Sequence, residues 1–270
     1  MSALAEGPLV RAKTSEAVAS YLLGEFVAGR LRPGDRIDLL AVAQALDVSR
    51  APVREALVLL ERDGTVRMPF HRGAFLGDID AAMIREGFTL YALLSGLTAR
   101  LAVAAASPEL LAELRAVHAE ASAAPSPAEF EVRARRFRRL VNREVAGPHL
   151  RAMLRTFNGL VVAVSSLAVE HALDTEKALL DAELAALHTG SAEAAAAAAI
   201  AHVQATGERG IALLIERGII AAEIPVAEVQ ASDIAAAGVA DVGAAAVEGT
   251  APGGSKLRLA PLLELVDSVA

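Results

Sequence analysis

The amino-acid sequence predicts a mainly α protein, an N-terminal winged helix-turn-helix followed by a C-terminal all-α helical bundle. Three observations carry that reading. The run Val48-Ser49-Arg50-Ala51-Pro52-Val53-Arg54-Glu55-Ala56-Leu57, closed by Leu60-Glu61-Arg62-Asp63-Gly64, is punctuated like a turn and the helix after it. Val66 to Leu76 reads as two short strands around a tight turn. From about residue 79 to Gly218, apolar residues recur at three and four, Pro and Gly are few, and no alternating strand pattern appears.

Taken in order, residues 1–13 read as a flexible leader. Residues 14–28 have helical spacing in Val18, Leu22, Leu23, Phe26 and Val27 and form the first helix of a winged domain spanning 14–77. Gly34-Asp35 opens the helix-turn-helix, and Leu40 to Leu46 is its short supporting helix. In the second helix Ser49 is the expected N-cap, Pro52 sits in the first turn where a missing N–H costs little, and Gly64 ends the helix. The winged domain closes near Gly77-Asp78. Helices are then predicted near 79–105, 107–122, 127–146, 148–168, 173–188 and 191–217. Pro108, Pro125, Pro127, Gly147-Pro148 and Gly190-Ser191 mark the breaks in a bundle over 79–220. Residues 221–270, rich in Ala, Gly and Val with scattered acids, read as a low-complexity acidic tail without a core of its own. Within it, Leu257 to Val269 is either a fraying end or a docking segment.

Composition bounds the rest. Apolar residues make up 54 %, but much of this is alanine, and with 3 % aromatics and no tryptophan the core falls to Leu, Val, Ile and Ala on helices. The absence of cysteine excludes disulfides and thiolate metal sites and suits a reducing cytoplasm. The N-terminus shows no basic segment followed by an apolar run, and no charge-free apolar stretch of about 18 residues occurs, so neither a signal peptide nor a membrane role is expected. The net charge of −7 is unevenly spread. Residues 11–76 carry ten basic against eight acidic residues, 79–220 fourteen against sixteen, and 221–270 two against seven. Phosphate binding depends on the local face, so the acidic total does not oppose DNA binding.

The residues expected to contact double-stranded DNA follow from this layout. Arg50 and Arg54 lie four apart near a helix N-terminus and can each donate two hydrogen bonds to a guanine edge in the major groove. Ser49 suits a phosphate. The wing tip His71-Arg72-Gly73 suits the adjacent minor groove, with Gly73 allowing close approach. Arg62 and Arg67 are read as solvated or paired with Glu55, Glu61 or Asp63.

Over about residues 14–76 this ordered combination resembles the DNA-binding domain of the GntR family of bacterial transcription regulators. The Ser-Arg-x-Pro-Val-Arg-Glu-Ala-Leu core at 49–57, the Leu-x-x-Asp-Gly end at 60–64 and the Arg-Gly-Ala-Phe wing at 72–75 stand in the family's order and spacing. The resemblance implies that Arg50 and Arg54 carry base or phosphate contacts; Ala51 departs from the family's usual threonine. More loosely, the helical part is similar in length and layout to the effector-binding domain of the FadR-like (FCD) subgroup. That likeness rests on helix count, Phe137 with Leu140, and Gly190-Ser191-Ala192-Glu193 leading to Ala201-His202-Val203.

Many FadR-like regulators hold a divalent metal on an Asp, a His four residues later and two further histidines, and the metal grips a carboxylate effector. Here the first two positions correspond to Ala134 and Arg138, a third to Leu180, and only His202 matches; Tyr91 and Ser95 stand where an arginine and a glutamate are usual. No metal and no cofactor is therefore expected, and the expected ligand-binding residues are Arg138, His202, Tyr91 and Ser95. Arg138 belongs to a dense basic run with Arg133, Arg135, Arg136, Arg139 and Arg143. Two readings stand: a guanidinium that binds a carboxylate or phosphate directly, or a solvated helix paired with Glu129, Glu131 and Glu144. His149, His171 and His188 read as ordinary helix histidines.

The function expected is a cytoplasmic regulator that binds a palindromic operator as a homodimer and responds to a small carboxylate effector. The alternative keeps DNA binding and makes the bundle a dimerisation scaffold. A repacked core around Ala134, Leu180 and Tyr91 favours the scaffold; an open cavity beside Arg138 favours the effector. No nucleophile–base pair, phosphate loop or cofactor motif points to an enzyme.

Overall fold

The computed structural model describes residues 8–222 apart from 106 and 158, with the side chains of 8–13 also left aside. Residues 1–7 of the expected leader and nearly all of the expected tail lie outside the described residues. The leader expected over 1–13 is cut short: α1 spans Pro8–Val27, so the first helix begins six residues before the expected start at residue 14. Val18, Leu22, Leu23 and Phe26 are its buried stripe.

After α1 the chain turns at Gly29, in the left-handed region at φ +73°, into β1 (Arg36–Ile37) and α2 (Leu39–Ala45). Asp38 caps α2, accepting from the backbone N–H of Leu40 and Ala41. The recognition helix α3 runs Arg50–Arg62. It ends in a Schellman motif, with Gly64 N donating to Glu61 O (3.0 Å) and Thr65 N to Leu60 O (3.0 Å). Gly64 is at φ +75°, as that motif requires. The strands β2 (Val66–Arg67) and β3 (Ala74–Leu76) pair antiparallel with Val66 opposite Leu76, and β1 completes the sheet on the other side of β3. Two corrections follow. The sheet has three strands, because a two-residue β1 leaves no alternating pattern to read. The expected tight turn is the six-residue loop 68–73, in which the non-glycine His71 also takes a positive φ of 59°.

The helical part comprises α4 (Ala81–Ala104), α5 (Pro108–Ser122), α6 (Pro127–Val145), α7 (Pro148–Thr156), α8 (Leu160–His171), α9 (Leu173–His188) and α10 (Ala192–Glu216). Asp80, Ser107, Ser126 and Ser191 cap α4, α5, α6 and α10. The single helix expected over 148–168 is two helices. Phe157 closes α7, and Gly159, at φ −91° and ψ −101°, leaves the helical region before α8. A side chain on Gly159 would sit 3.3 Å from Leu23 of α1, so this break is where the winged part meets the bundle.

One core joins α5, α6 and α9 around Leu114, Phe130, Phe137 and Leu180. A second joins α4, α8 and α10 around Phe88, Val164 and Leu214 and also takes in Phe26 of α1. The winged part has its own core of Val18, Leu23, Val53, Leu57 and Val66. Helix α10 lies close along α4 and α8 because it presents glycines at the crossings. A Cβ on Gly207 would fall 2.5 Å from the Phe88 ring, and one on Gly210 2.3 Å from a Val164 methyl. Helix α4 has the length and hydropathy of a membrane span. One face of it, however, carries buried Phe88, Ala92, Ser95 and Ala99.

Candidate nucleic-acid interface and the interior of the bundle

Helix α3 buries Val53, Ala56, Leu57 and Leu60 against the winged core, which turns Arg50, Arg54 and Val58 outward on one line of the helix. The side chains of Arg50, Arg54, Arg62 and Arg72 make no ion pair or hydrogen bond among the described residues, and all four are exposed. Ser49 occupies the N-cap position, but its side chain makes no capping hydrogen bond. Its hydroxyl and the first N–H groups of α3 are left for an outside acceptor such as a phosphate. Arg67 is paired, but with Asp78 (3.1 Å) rather than with Glu55, Glu61 or Asp63. Glu61 instead accepts from the backbone N–H of Met68 (3.1 Å), tying α3 to the wing.

At the wing, Arg72 N donates to Pro69 O (3.0 Å), and Gly73 at φ +91° lies against the Arg36 guanidinium. Two residues of this surface escaped the sequence reading. Val58, 57 % exposed, extends the Arg50–Arg54 line with an apolar surface suited to a thymine methyl. Phe70, 87 % exposed, lies against the His71 ring, with centroids 3.9 Å apart and planes tilted by 59°. Alternation could not mark Phe70, because it stands in a loop.

Inside the bundle the expected ligand residues fall into three situations. Arg138 and His202 come together through Glu183: Arg138 is paired with it, and His202 Nδ1 lies 2.7 Å from its carboxylate. On the other ring edge, His202 Nε2 is 3.3 Å from Glu176. Glu176 also accepts from Arg209 (2.6 Å) and from the Thr206 hydroxyl (2.9 Å). Tyr91 contacts Phe157, with ring centroids 5.8 Å apart, and lines an open groove of about 1030 Å³ together with Arg138. Ser95 is fully buried on α4, and its hydroxyl has no hydrogen-bond partner among the described residues.

The chain of charges Arg138, Glu183, His202, Glu176 and Arg209 is the main feature missed by the sequence reading. Its two carboxylates are 1–3 % exposed. Burial alone would raise Glu183, but the Arg138 guanidinium and His202 hold it below the usual carboxylate range. Burial would likewise lower His202, and Glu183 and Glu176 carry it above its ordinary value. The surrounding basic run is largely spent on neighbours. Arg133 pairs with Glu129 (2.8 Å), Arg135 with Glu131 (3.2 Å), Arg136 with Glu120 (3.3 Å), and Arg143 with Glu113 and Glu144. Ala134 packs on the core and Leu180 is 2 % exposed within it.

These residues do not fit the metal that the resemblance associates with this place. Apolar Ala134 and Leu180 replace two donors, and Arg138 puts a fixed cation where a third would stand. The remaining imidazole, His202, is taken up by two carboxylates. Among the other histidines, the Nδ1 of His171 and of His188 faces the backbone carbonyl four residues earlier, at 2.9 and 2.7 Å.

Residues 14–76 match the bacterial regulatory proteins of the gntR family, and residues 86–205 match the FCD domain. The chain is 35 % identical over 208 residues to an uncharacterized HTH-type transcriptional regulator of Mycobacterium tuberculosis, covering 77 % of this chain and 85 % of that protein. Among solved structures, E. coli McbR/YncC aligns with a TM-score of 0.57 at 22 % identity, over 76 % of this chain and 98 % of the other. A putative GntR transcriptional regulator of Rhodococcus sp. RHA1 aligns at 0.53 and 20 % identity, over 73 % of this chain and 97 % of its own. Both share the fold.

Proposed function

The chain belongs to the GntR family of DNA-binding transcriptional regulators and carries an FCD domain, and from that premise we propose that it binds a palindromic operator as a homodimer, in the cytoplasm and without catalysis. The observation that carries this reading is the line of exposed, unpartnered arginines on α3. Elsewhere nearly every described arginine of the bundle faces an acid, a histidine ring or a backbone carbonyl. A guanidinium without a partner inside the fold is available to a guanine edge or a phosphate. Ser49, Arg50 and Arg54 would address the major groove, and His71, Arg72 and Gly73 the minor groove beside it.

Support for the homodimer comes from α4. Leu90, Leu93, Leu97 and Leu101 are 39–55 % exposed and recur at helical spacing on the face turned away from α10. A two-fold seam along this stripe would pair two winged parts with two half-sites. Analytical ultracentrifugation checks it: Leu93→Glu with Leu97→Glu should shift a dimer to monomer, and an unchanged sedimentation coefficient would refute the seam.

For the helical domain two readings each have an observation behind them. The groove beside Arg138 and Tyr91 favours a ligand that modulates DNA affinity, with a small organic acid as the class suggested by the family likeness. The packing of Leu180 and Ala134 and the internal neutralisation of Arg138 favour a scaffold without an effector. Operator binding in the presence and absence of candidate acids separates them, through a shift in affinity or none.

A further inference from the structure

Two arginines of the bundle, Arg139 and Arg155, break that pattern, a third meets only a backbone carbonyl, and all three line one groove. The side chains of Arg139 on α6 and Arg155 on α7 make neither ion pair nor hydrogen bond among the described residues. The guanidinium of Arg151 on α7 donates, among the described residues, only to the backbone carbonyl of Arg143 (3.0 Å). All three are exposed, and all three line the groove of about 1030 Å³. Arg138 and Asn142 also line the groove, and each has a buried side-chain atom without a partner among the described residues, Nη1 and Oδ1. Glu113, the one acid in its wall among the described residues, is engaged by Arg143. Leu154 and Val162 add apolar surface.

We propose that this groove is a metal-free binding site for a small organic anion carrying two or more negative charges, held by Arg139, Arg151 and Arg155 with Arg138 beneath them. The charge follows from the count of guanidinium groups, since a monocarboxylate occupies one fork and leaves the others facing each other. A tricarboxylate and a phosphate ester both offer this chemistry. Duplex DNA does not, because its convex backbone cannot follow the groove down to a side chain as buried as Arg138. Ser20 of α1 also lines the groove. A bound anion therefore touches the helix that supports the winged core and can bias its position. This regulatory role rests on the effector reading above; the site itself does not.

The test is isothermal titration calorimetry on the full chain, in EDTA and about 0.15 M salt, with inorganic pyrophosphate, citrate and acetate as probes. The account expects pyrophosphate or citrate to bind at least tenfold more tightly than acetate, with the stronger of the two identifying phosphate or carboxylate chemistry. Arg139→Ala with Arg155→Ala should weaken that binding tenfold or more, while Arg100→Ala, outside the groove, leaves it unchanged. Thermal melts should be equal in all three proteins; if the double variant melts early, Arg139→Gln alone supplies the comparison. Equal binding by wild type and the groove variants, equal affinity for acetate, or binding that requires a divalent metal would each overturn the proposal. Operator titrations run alongside separate the two ideas. An anion that binds without changing operator affinity sinks the effector reading and leaves the site. Intact operator binding with no anion binding sinks the site and leaves the regulator.

Discussion

Two arginine-rich helices of this protein are used in opposite ways. On α3, Arg50 and Arg54 project from a helix whose other face is buried, and no acid answers them. On α6, Arg133, Arg135, Arg136, Arg138 and Arg143 are each matched by a glutamate. The same side chain thus serves an external polyanion in one place and the fold itself in the other. What decides is the neighbourhood, and counting arginines along the chain does not reveal it.

The sharpest way to break the contrast is to remove the deepest partner on the bundle side. Glu183→Gln leaves the Arg138 guanidinium buried without its counter-charge and should cost about 3–5 kcal/mol in urea denaturation. Adding Arg138→Met should recover most of the loss, because it is the orphaned charge that destabilises. If Glu183→Gln unfolds with the wild type, the buried network contributes nothing.

A second comparison sets packing against exposure. Gly207→Ala forces a methyl into the Phe88 ring and should destabilise by about 1–3 kcal/mol. Val58→Ala, on the outer face of α3, should stay within about 0.5 kcal/mol of wild type yet weaken operator binding. Equal stability losses would mean that Val58 is a packing residue after all.

Acidity provides a third probe, through His202 and Glu183 of the buried network. His202 is raised above its ordinary value of 6.5, so its contribution is fully present below pH 6.5 and is lost as pH climbs through the raised value. Glu183 is lowered below 4.5, so its contribution is present above pH 4.5 and is lost as pH falls through the lowered value. Both act together between those limits. Melting temperature against pH should decline on the alkaline side, and His202→Gln should flatten that limb. An identical profile in the variant would remove His202 from the account.

The smallest effect is expected from a solvent-facing pair. Arg136 and Glu120 are each about half exposed, and Arg136→Ala should change stability by no more than about 1 kcal/mol.

The α3 unit was legible in the sequence because its determinants are local. The capping position, the proline in the first turn, the glycine stop and the four-residue arginine spacing all lie within sixteen residues or so of one another. The bundle interior was legible only in part. Arg138 and His202 could be singled out, but their shared partner Glu183 lies 45 residues from one and 19 from the other, and Glu176 lies 26 from His202. Periodicity places such acids on a helix without saying which face meets which neighbour. The break at Gly159 leaves a similarly faint trace, since no proline announces it and the close neighbour of its Cα, Leu23, lies on another helix. The loop 68–73 was read as too tight because a positive φ at a histidine leaves no mark in composition.

The most direct test of the account is a fluorescence-anisotropy titration of duplex from the protein's own promoter region, at two salt concentrations, with wild type, Arg54→Ala and Arg136→Ala. One lost bidentate contact is worth about 1–3 kcal/mol, roughly a five- to 150-fold loss of affinity. The account predicts tight, salt-sensitive binding by wild type and Arg136→Ala and a loss of that size in Arg54→Ala. Equal affinities for all three proteins would contradict it, because the unpartnered arginines of α3 would then not be reading the DNA.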